Sequence, residues 1–375
     1  MHDQSAVKQA GCDRLQQSDV AASTPMRRAA SYWFLALLSL GGMYSSAEAS
    51  CGSVSCFVVI GSQQAVSPAG VLTVNLSFAH TPNEIPSGGV NTIPFANQQT
   101  KQLILANSQV SQLSTLVQTA VLDLNYGLTE RVGIQVQVPY RMIDAIGQIG
   151  NAAVGNTFDR GVGDVLGKVK YNLLPSLRSM VVLEMGVWFP VGDYGNMPVA
   201  GQLAESTLQV GRGALGIQPG FYQTYEIIPH RLNQFLSGNV RYTFRNTDGY
   251  RFGEEFSVNA GLNLVTFPWL TLTNQINFRY KGRDNIEAAL LEFRPDPVNR
   301  AVLLDGNIIG RSVPTTDHTY VAYSTGAVIN VFDFAQIYFI TQIPIYRDFN
   351  GNLQQEISFV GGVTKYFTTP SLFKQ

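Results

Sequence analysis

The stretch "YGLTERVGIQVQVPY", Tyr126 to Tyr140, decides the fold. Leu128, Thr129, Glu130 and Arg131 separate two alternating runs, and Val132, Ile134, Val136, Val138 and Tyr140 then interleave with Gly133, Gln135 and Gln137. Successive side chains of a strand point to opposite faces, so one face here is wholly apolar and the other amide-lined. Eight steps from Val132 to Tyr140, at about 3.3 Å each and tilted by roughly 40°, rise about 20 Å, close to the ~25 Å apolar band of a membrane barrel. A tyrosine at such a height meets lipid with its ring and water with its hydroxyl. Tyr126 and Tyr140 are therefore expected in opposite aromatic girdles, with Tyr171 and Tyr280 as further girdle residues. Amides on the other face call for a wet interior.

Period two continues from Val71 to the end of the chain, and helical periodicity is scarce. "VLTVNLSF" sets Leu72, Val74, Leu76 and Phe78 against Thr73, Asn75 and Ser77; the next run carries Asp123 and Asn125 between Leu122, Leu124 and Tyr126. "GDVLGKVKYNLL" opposes Val165, Val169 and Tyr171 to Asp164, Lys168, Lys170 and Asn172, and Glu184 follows among Leu183, Met185 and Val187. "LGIQPGFYQTY" and "LNQFLSGNVRYTF" come next, with Arg241 and Arg245 on one face. Glu255, Ser257, Asn259 and Asn263 alternate with Phe256, Val258 and Leu262, and beyond Phe267-Pro268 Thr271, Thr273, Gln275, Asn277 and Arg279 alternate with Leu272, Ile276 and Phe278. "TYVAYSTGAVIN", "AQIYFITQIPIY" and "EISFVGGVTKYF" complete twelve strands.

Their links alternate in length. Short ones (129–131, 174–178, 227–231, 266–268, 331–333) fall on one end, and long ones (80–115, 142–160, 193–213, 282–318) fall mainly on the other. The pattern predicts an all-β fold: a transmembrane antiparallel up-and-down β-barrel of about twelve strands over 71–367, with short periplasmic turns and longer external loops. A soluble sandwich or solenoid also alternates, but its strands usually stop after five or six residues, whereas most runs here reach ten.

Composition agrees. The chain has 375 residues, 45% hydrophobic and only 14% charged, with a formal charge of −1. That supports a large folded body and gives no support to nucleic-acid binding. No segment downstream of residue 50 holds eighteen consecutive apolar residues, so no transmembrane helix is expected there.

Residues 1–49 read as a leader. Arg27 and Arg28 precede an apolar core from Trp33 to Met43, followed by Ser45, Ser46 and Ala47-Glu48-Ala49, the layout of a secretory signal cleaved after Ala49. Residues 1–25 are polar, an odd extension of such a signal, and point to translation starting at Met26. Removing 1–49 takes away four basic and four acidic residues, leaving 21 and 22. The remaining cysteines, Cys51 and Cys56, read as a small disulfide in an oxidising compartment, with two free thiols as the alternative. A lipid anchor at Cys51 is the weaker reading, because Glu48-Ala49-Ser50 lacks the leucine such a signal wants. Residues 50–70 form a periplasmic segment, apolar at Phe57 to Ile60, that either plugs the lumen or contacts a partner; 368–375 form a tail.

Chemistry-bearing motifs are few. Gly211-Arg212-Gly213-Ala214-Leu215-Gly216 fits G-x-G-x-x-G but opens a strand rather than a helix, so it lacks the helix N-terminus that holds a pyrophosphate and reads as a flexible external loop. "GVGDVLGK" fails as a phosphate-binding loop in spacing. His80, His230 and His318 are isolated, with no serine or acid at a spacing that marks a partner; no catalytic residue, metal site or cofactor is expected. The charges on the inward face carry more. Asn75, Asp123, Asn125, Gln135, Gln137, Asp164, Lys168, Lys170, Glu184, Arg241, Arg245, Glu255, Asn259, Gln275 and Arg279 are expected to line the lumen. Folding the Phe267 hairpin sets Glu255 opposite Arg279 and Asn259 opposite Gln275, while Lys168 and Lys170 flank Glu184. Such charges either neutralise one another as cross-strand pairs or create a transverse field that sorts solutes.

Several of these segments resemble an outer-membrane channel group named for a MetA pathway of phenol degradation and for hydrocarbon transport. "YGLTERVGIQVQVPY" resembles its Y-G-L-T-[DE]-R followed by a strand ending V-P-Y; "GVGDVLGKVKY" resembles its G-x-G-D and K-Y elements; "WFPVGDYG" resembles its P-[TV]-G-[DS] strand end. "GGVTKYF" is similar to its aromatic-ended last strand, the signal for barrel assembly machinery, although here "TTPSLFKQ" follows Phe367 with Phe373 as a weaker candidate. "CGSVSCFVV" resembles the cysteine-paired start of some members.

The resemblance implies a non-enzymatic channel, exported through the periplasm to the Gram-negative outer membrane, that embeds in its lipid and passes small solutes, aromatic or other hydrophobic compounds among them. A second hypothesis is a scaffold or sheath whose lumen holds residues 51–70 or a periplasmic partner such as an electron carrier. A third and weaker one is a barrel hydrolase using His80 or His318.

Overall fold

The computed structural model describes residues 64–84, 110–149, 152–176, 178–194, 209–247, 249–286, 316–331, 335–349 and 353–369. The leader, the Cys51–Cys56 pair, most of the 50–70 segment and Phe373 lie outside them.

Sixteen strands follow in chain order: β1 (Val71–Glu84), β2 (Val110–Gly127), β3 (Val132–Ile149), β4 (Ala152–Val162), β5 (Val165–Asn172), β6 (Ser179–Phe189), β7 (Gly216–Ile228), β8 (Leu232–Thr243), β9 (Tyr250–Arg251), β10 (Glu255–Phe267), β11 (Leu270–Lys281), β12 (Asn285–Ile286), β13 (His318–Val331), β14 (Ala335–Asp348), β15 (Gln354–Gln355) and β16 (Ser358–Thr368). Twelve of them form one antiparallel ring, β1-β2-β3-β5-β6-β7-β8-β10-β11-β13-β14-β16, and β16 pairs back onto β1. The closing seam runs from Val71 opposite Thr368 to His80 opposite Phe359. Closure lets the edge strands β1 and β16 pair within the chain, which is what a sheet needs in order to cross lipid.

Tight turns gather at one end. Thr129 Oγ1 accepts hydrogen bonds from the backbone N–H of Val132 at 3.0 Å and of Arg131 at 3.2 Å, so the Leu-Thr-Glu-Arg break is a side-chain-capped turn. His230 takes φ 59° in the β7–β8 turn, and the first and last barrel strands also begin and finish at this end. The long links leave from the other end. One link expected as a loop is in fact strand: β3 continues to Ile149, and β4 pairs with its outer half, from Tyr140 opposite Val162 to Ile149 opposite Ala152. The reason is legible afterwards, since Ile143 and Ala145 keep the inward parity of Gln135 and Gln137 and are buried.

The two faces differ as the alternation requires. Leu76, Val169, Met185, Phe339 and Ile345 are more than half exposed, while Asn75, Asn125, Gln135, Lys170, Ser324 and Thr364 are all but inaccessible. Apolar cover of this extent far exceeds the few hundred Å² of contiguous patch that a soluble monomer shows; its solvent is lipid. Tyr126 and Tyr171 stand at the turn end, whereas Tyr140 and Tyr280 stand toward the loop end.

The interior departs from the all-wet expectation. Three apolar clusters project into it: Val182, Tyr222 and Phe235; Tyr338, Ile340 and Val360; and Tyr320, Ala322 and Phe349. The first is completed by Val66, because the chain ahead of β1 lies inside the barrel. Ala65 O accepts from Asn125 Nδ2 at 3.0 Å, and Ser67 Oγ lies 2.9 Å from Thr73 Oγ1. Gly127 permits this path: a Cβ there would stand 2.1 Å from Pro68 O.

Two outcomes check this architecture. Met185→Arg, at the lipid face of β6, should cost roughly 2–4 kcal/mol of folding stability if it lies near the bilayer midplane, measured by denaturant unfolding in vesicles. Gly127→Val should expel the 64–70 segment and expose it to added protease while the barrel keeps its heat-dependent gel mobility.

Candidate functional site: the lumen

Strand parity aims three tiers of polar side chains into the barrel. Nearest the turns, Asp123 accepts from Gln135 Nε2 at 2.8 and 2.7 Å and from Gln137 Nε2 at 2.9 Å. Beside it, Lys170 is directly opposite Glu184 in the β5–β6 ladder, and Lys168 Nζ reaches Glu184 Oε2 at 2.9 Å. Lys170 Nζ also donates to Ala65 O at 3.4 Å, tying the inserted amino-terminal segment to the charged wall. These charges neutralise one another as neighbours on adjacent strands, the first of the two readings.

An amide belt crosses the middle. Asn277 Nδ2 donates to Asn259 Oδ1 at 2.7 Å, Ser324 Oγ donates to Asn277 Oδ1 at 2.6 Å, and Asn259 Nδ2 donates to Ser237 Oγ at 3.3 Å. Gln275 joins through Asn277 Nδ2 at 3.2 Å. On the opposite wall Asn75 Oδ1 accepts from Tyr338 Oη at 3.0 Å and Thr364 Oγ1 at 2.9 Å.

The third tier, at the loop end, is where the sequence reading needs most correction. The 211–216 stretch is no flexible external loop: Arg212 and Ala214 are buried with Gln209 and Val210 in a strap, 209–214, folded into the barrel mouth, and Gly216 begins β7. The fingerprint glycines serve this fold. A Cβ on Gly211 would sit 2.4 Å from Gly192 O, and Gly213 has φ 62°. Arg212 pairs with Glu255, donates to Thr243 Oγ1 at 3.2 Å, and its backbone N–H reaches Asp164 Oδ2 at 3.1 Å. Arg141 donates to Val210 O at 3.4 Å, and Asp159 accepts from the Val210 N–H at 3.3 Å. Arg241 lies with its guanidinium carbon 3.9 Å from the Trp188 ring centroid.

The β10–β11 hairpin also shifts. Glu255 is opposite Lys281 and Asn259 opposite Asn277, not Arg279 and Gln275, because Pro268 and Trp269 alone make the turn and a bulge follows at Val265–Phe267. The slip is two residues, so every face assignment survives while every partner changes. Arg279 instead donates to Gln355 Oε1 at 3.1 Å and lies over the Tyr320 ring at 5.1 Å. Arg245 sits farther out, half-buried, donating to Gly249 O at 2.6 Å and Asn285 Oδ1 at 2.8 Å. The other proposed lining residues face inward and all but Gln137 are buried.

His318 is not the solvated histidine expected of it: it is buried, stacked on Phe349 at 4.9 Å. His80 faces outward, its Nδ1 3.3 Å from Gln118 Nε2. Among the described residues no cluster of three or more His, Cys, Asp and Glu could hold a metal ion. Sequence reasoning missed Arg141, Lys281 and Arg212. Parity alone places the first two, two steps beyond Pro139 and Arg279, whereas nothing local marks Arg212 as buried.

The comparisons fit this architecture. The family described as "Putative MetA-pathway of phenol degradation" matches residues 95–279, so the resemblance carried by the sequence motifs is borne out. Among solved structures, an outer-membrane channel from Pseudomonas putida F1 is similar at 12% identity with a TM-score of 0.58, covering 83% of this chain and 100% of its own. The TodX monoaromatic hydrocarbon channel aligns at 10% identity with a TM-score of 0.40, covering 81% of this chain and 91% of its own. The likeness to the Pseudomonas putida channel establishes the fold alone. No curated protein matches the chain in sequence.

Gly211→Val should swing the 209–214 strap out of the mouth, so that trypsin cleaves folded protein after Arg212, a bond protected in the parent chain.

Proposed function

From the premise that residues 95–279 match the phenol-degradation family, we propose that this chain is a passive outer-membrane channel for small solutes, aromatic or otherwise hydrophobic. The carrying observation is the contrast of faces: an apolar exterior around a polar, charged interior, in which Lys168 and Lys170 neighbour Glu184, and Arg241 is opposite Glu255 in the ladder. Charged side chains that line a lumen sort permeants without covalent chemistry. Affinity for hydrophobic compounds is supported by the aromatic side chains that share this interior, Tyr320 with Phe349 and Tyr250 with Phe252, packed edge to face. In this reading residues 1–49 direct export through the periplasm, Cys51 and Cys56 pair there, and the aromatic end of β16 is read by the barrel assembly machinery. The solute itself is the partner, and neither chemistry nor cofactor takes part.

The scaffold or sheath reading keeps one specific support, the amino-terminal segment held in the lumen by Asn125, Thr73 and Lys170. Deleting 51–70 discriminates: a channel conducts before and after, while a sheath conducts only after.

In planar bilayers the protein should give discrete conductance steps, and Arg241→Glu or Arg279→Glu should shift the reversal potential toward cation preference; unaltered selectivity in both would remove the lumen assignment. In liposome swelling across sugars, amino acids and phenolic compounds, the phenolic compounds should enter fastest.

A further inference from the structure

Arg241 is held more loosely than the cations paired with carboxylates beside it. Arg212 beside it is consumed by Glu255 and Thr243, and Lys168 by Glu184. Arg241 is 5% exposed, yet its one ion pair among the described residues is Asp164 Oδ2 at 3.9 Å, too long for a hydrogen bond. That same oxygen already accepts the Arg212 N–H, the other, Asp164 Oδ1, accepts nothing from the protein, and the buried Arg241 Nε donates to none of it. Arg141, whose Nε is likewise buried without a protein acceptor, stands within electrostatic reach, as do Arg212 and Glu255. Asp159, the remaining carboxylate of this tier, is turned to the Val210 N–H.

A guanidinium in this condition is built for a planar oxyanion, which its Nε and terminal nitrogen can grip as a fork. The surroundings restrict which one. The Arg241 guanidinium lies over the Trp188 ring, which is fixed by its Nε1–H bond to Gln218 Oε1 at 2.7 Å. Leu166 is opposite Trp188 in the ladder and buried, and Phe252 covers the neighbouring Arg212 at 4.8 Å. A small hydrated inorganic anion gains nothing from these apolar walls, whereas an arene does.

We propose that Arg241, backed by Arg141 and walled by Trp188, Leu166 and Phe252, is a binding site for a small arene carrying one carboxylate or phenolate group. It deepens the channel reading, on which it rests, by naming the solute class and the place where the solute pauses. The site stands directly below the strap 209–214, so a solute passing the mouth meets Arg241 before the amide belt.

The test uses the full-length chain with Trp33→Phe and Trp269→Phe, which leaves Trp188 as the single tryptophan, folded in detergent and titrated with benzoate, acetate or benzyl alcohol. Benzoate should quench Trp188 saturably, with acetate and benzyl alcohol at least tenfold weaker. Arg241→Gln should raise the half-saturating benzoate concentration at least tenfold, and Arg347→Gln at the outer rim should leave it unchanged. If Arg241→Gln loses the heat-dependent gel shift of a folded barrel, Arg241→Lys takes its place and should weaken benzoate several-fold, keeping the charge but losing the fork. Equal quenching by benzyl alcohol, equal quenching by acetate, or indifference to the Arg241 change would each overturn the proposal. Benzoate binding without bilayer conductance would refute the channel alone; conductance without binding would refute the site alone.

Discussion

The structure depends on one constraint: in hydrocarbon no backbone N–H or C=O finds a partner outside the chain, so the ladder must close on itself. The β1–β16 seam is where this chain meets it, ten consecutive residue pairs from Val71–Thr368 to His80–Phe359. Twelve strands joined in sequence order need no crossover, and each hairpin forms from neighbours. Once the ring is closed, period-two alternation is no longer a matter of propensity. Every odd step faces one solvent and every even step another, which is why Val136 and Gln137 can be adjacent in sequence and opposite in chemistry.

Closure also sets the character of the interior. Inward side chains from opposite walls approach one another, so a polar group must find a partner there or face the remaining hollow. Near the turns the partners are local, Gln135 with Asp123 and Lys168 with Glu184. At the mouth they come from far along the chain, through a strap that carries Arg212 onto Glu255 and sets Gly211 against Gly192. The contrast between a saturated Arg212 and an under-satisfied Arg241 is a product of that strap, and it separates a structural cation from one available to a solute.

The legible and illegible parts of the sequence divide along the same line. Strand number, face assignment and the tight turns were readable because each depends on residues a few positions apart: Val132 to Tyr140 for a face, Thr129 for a turn. Register was not, since the bulge at Val265–Phe267 and the two-residue turn at Pro268–Trp269 move partners by two without altering the alternation. The β3–β4 hairpin reads as a loop in the sequence, because Gly147, Gly150 and Gly155 interrupt the apolar rhythm there. The 211–216 stretch reads as a flexible loop for a stronger reason. Glycines spaced for close backbone approach look the same in sequence as glycines spaced for freedom, and only the position of Gly192 tells them apart. The apolar clusters around Tyr338 and Phe235 were missed because alternation shows which way a side chain points and not what it meets.

Lipid-phase quenching along β6 tests the two-faced ring most directly. With Cys12, Cys51 and Cys56 replaced by serine, single cysteines at 182 to 187 are labelled with a small fluorophore in vesicles that contain a lipid-borne quencher. The account predicts strong quenching at 183, 185 and 187 and little at 182, 184 and 186. Uniform quenching, or none at any of the six, would contradict it.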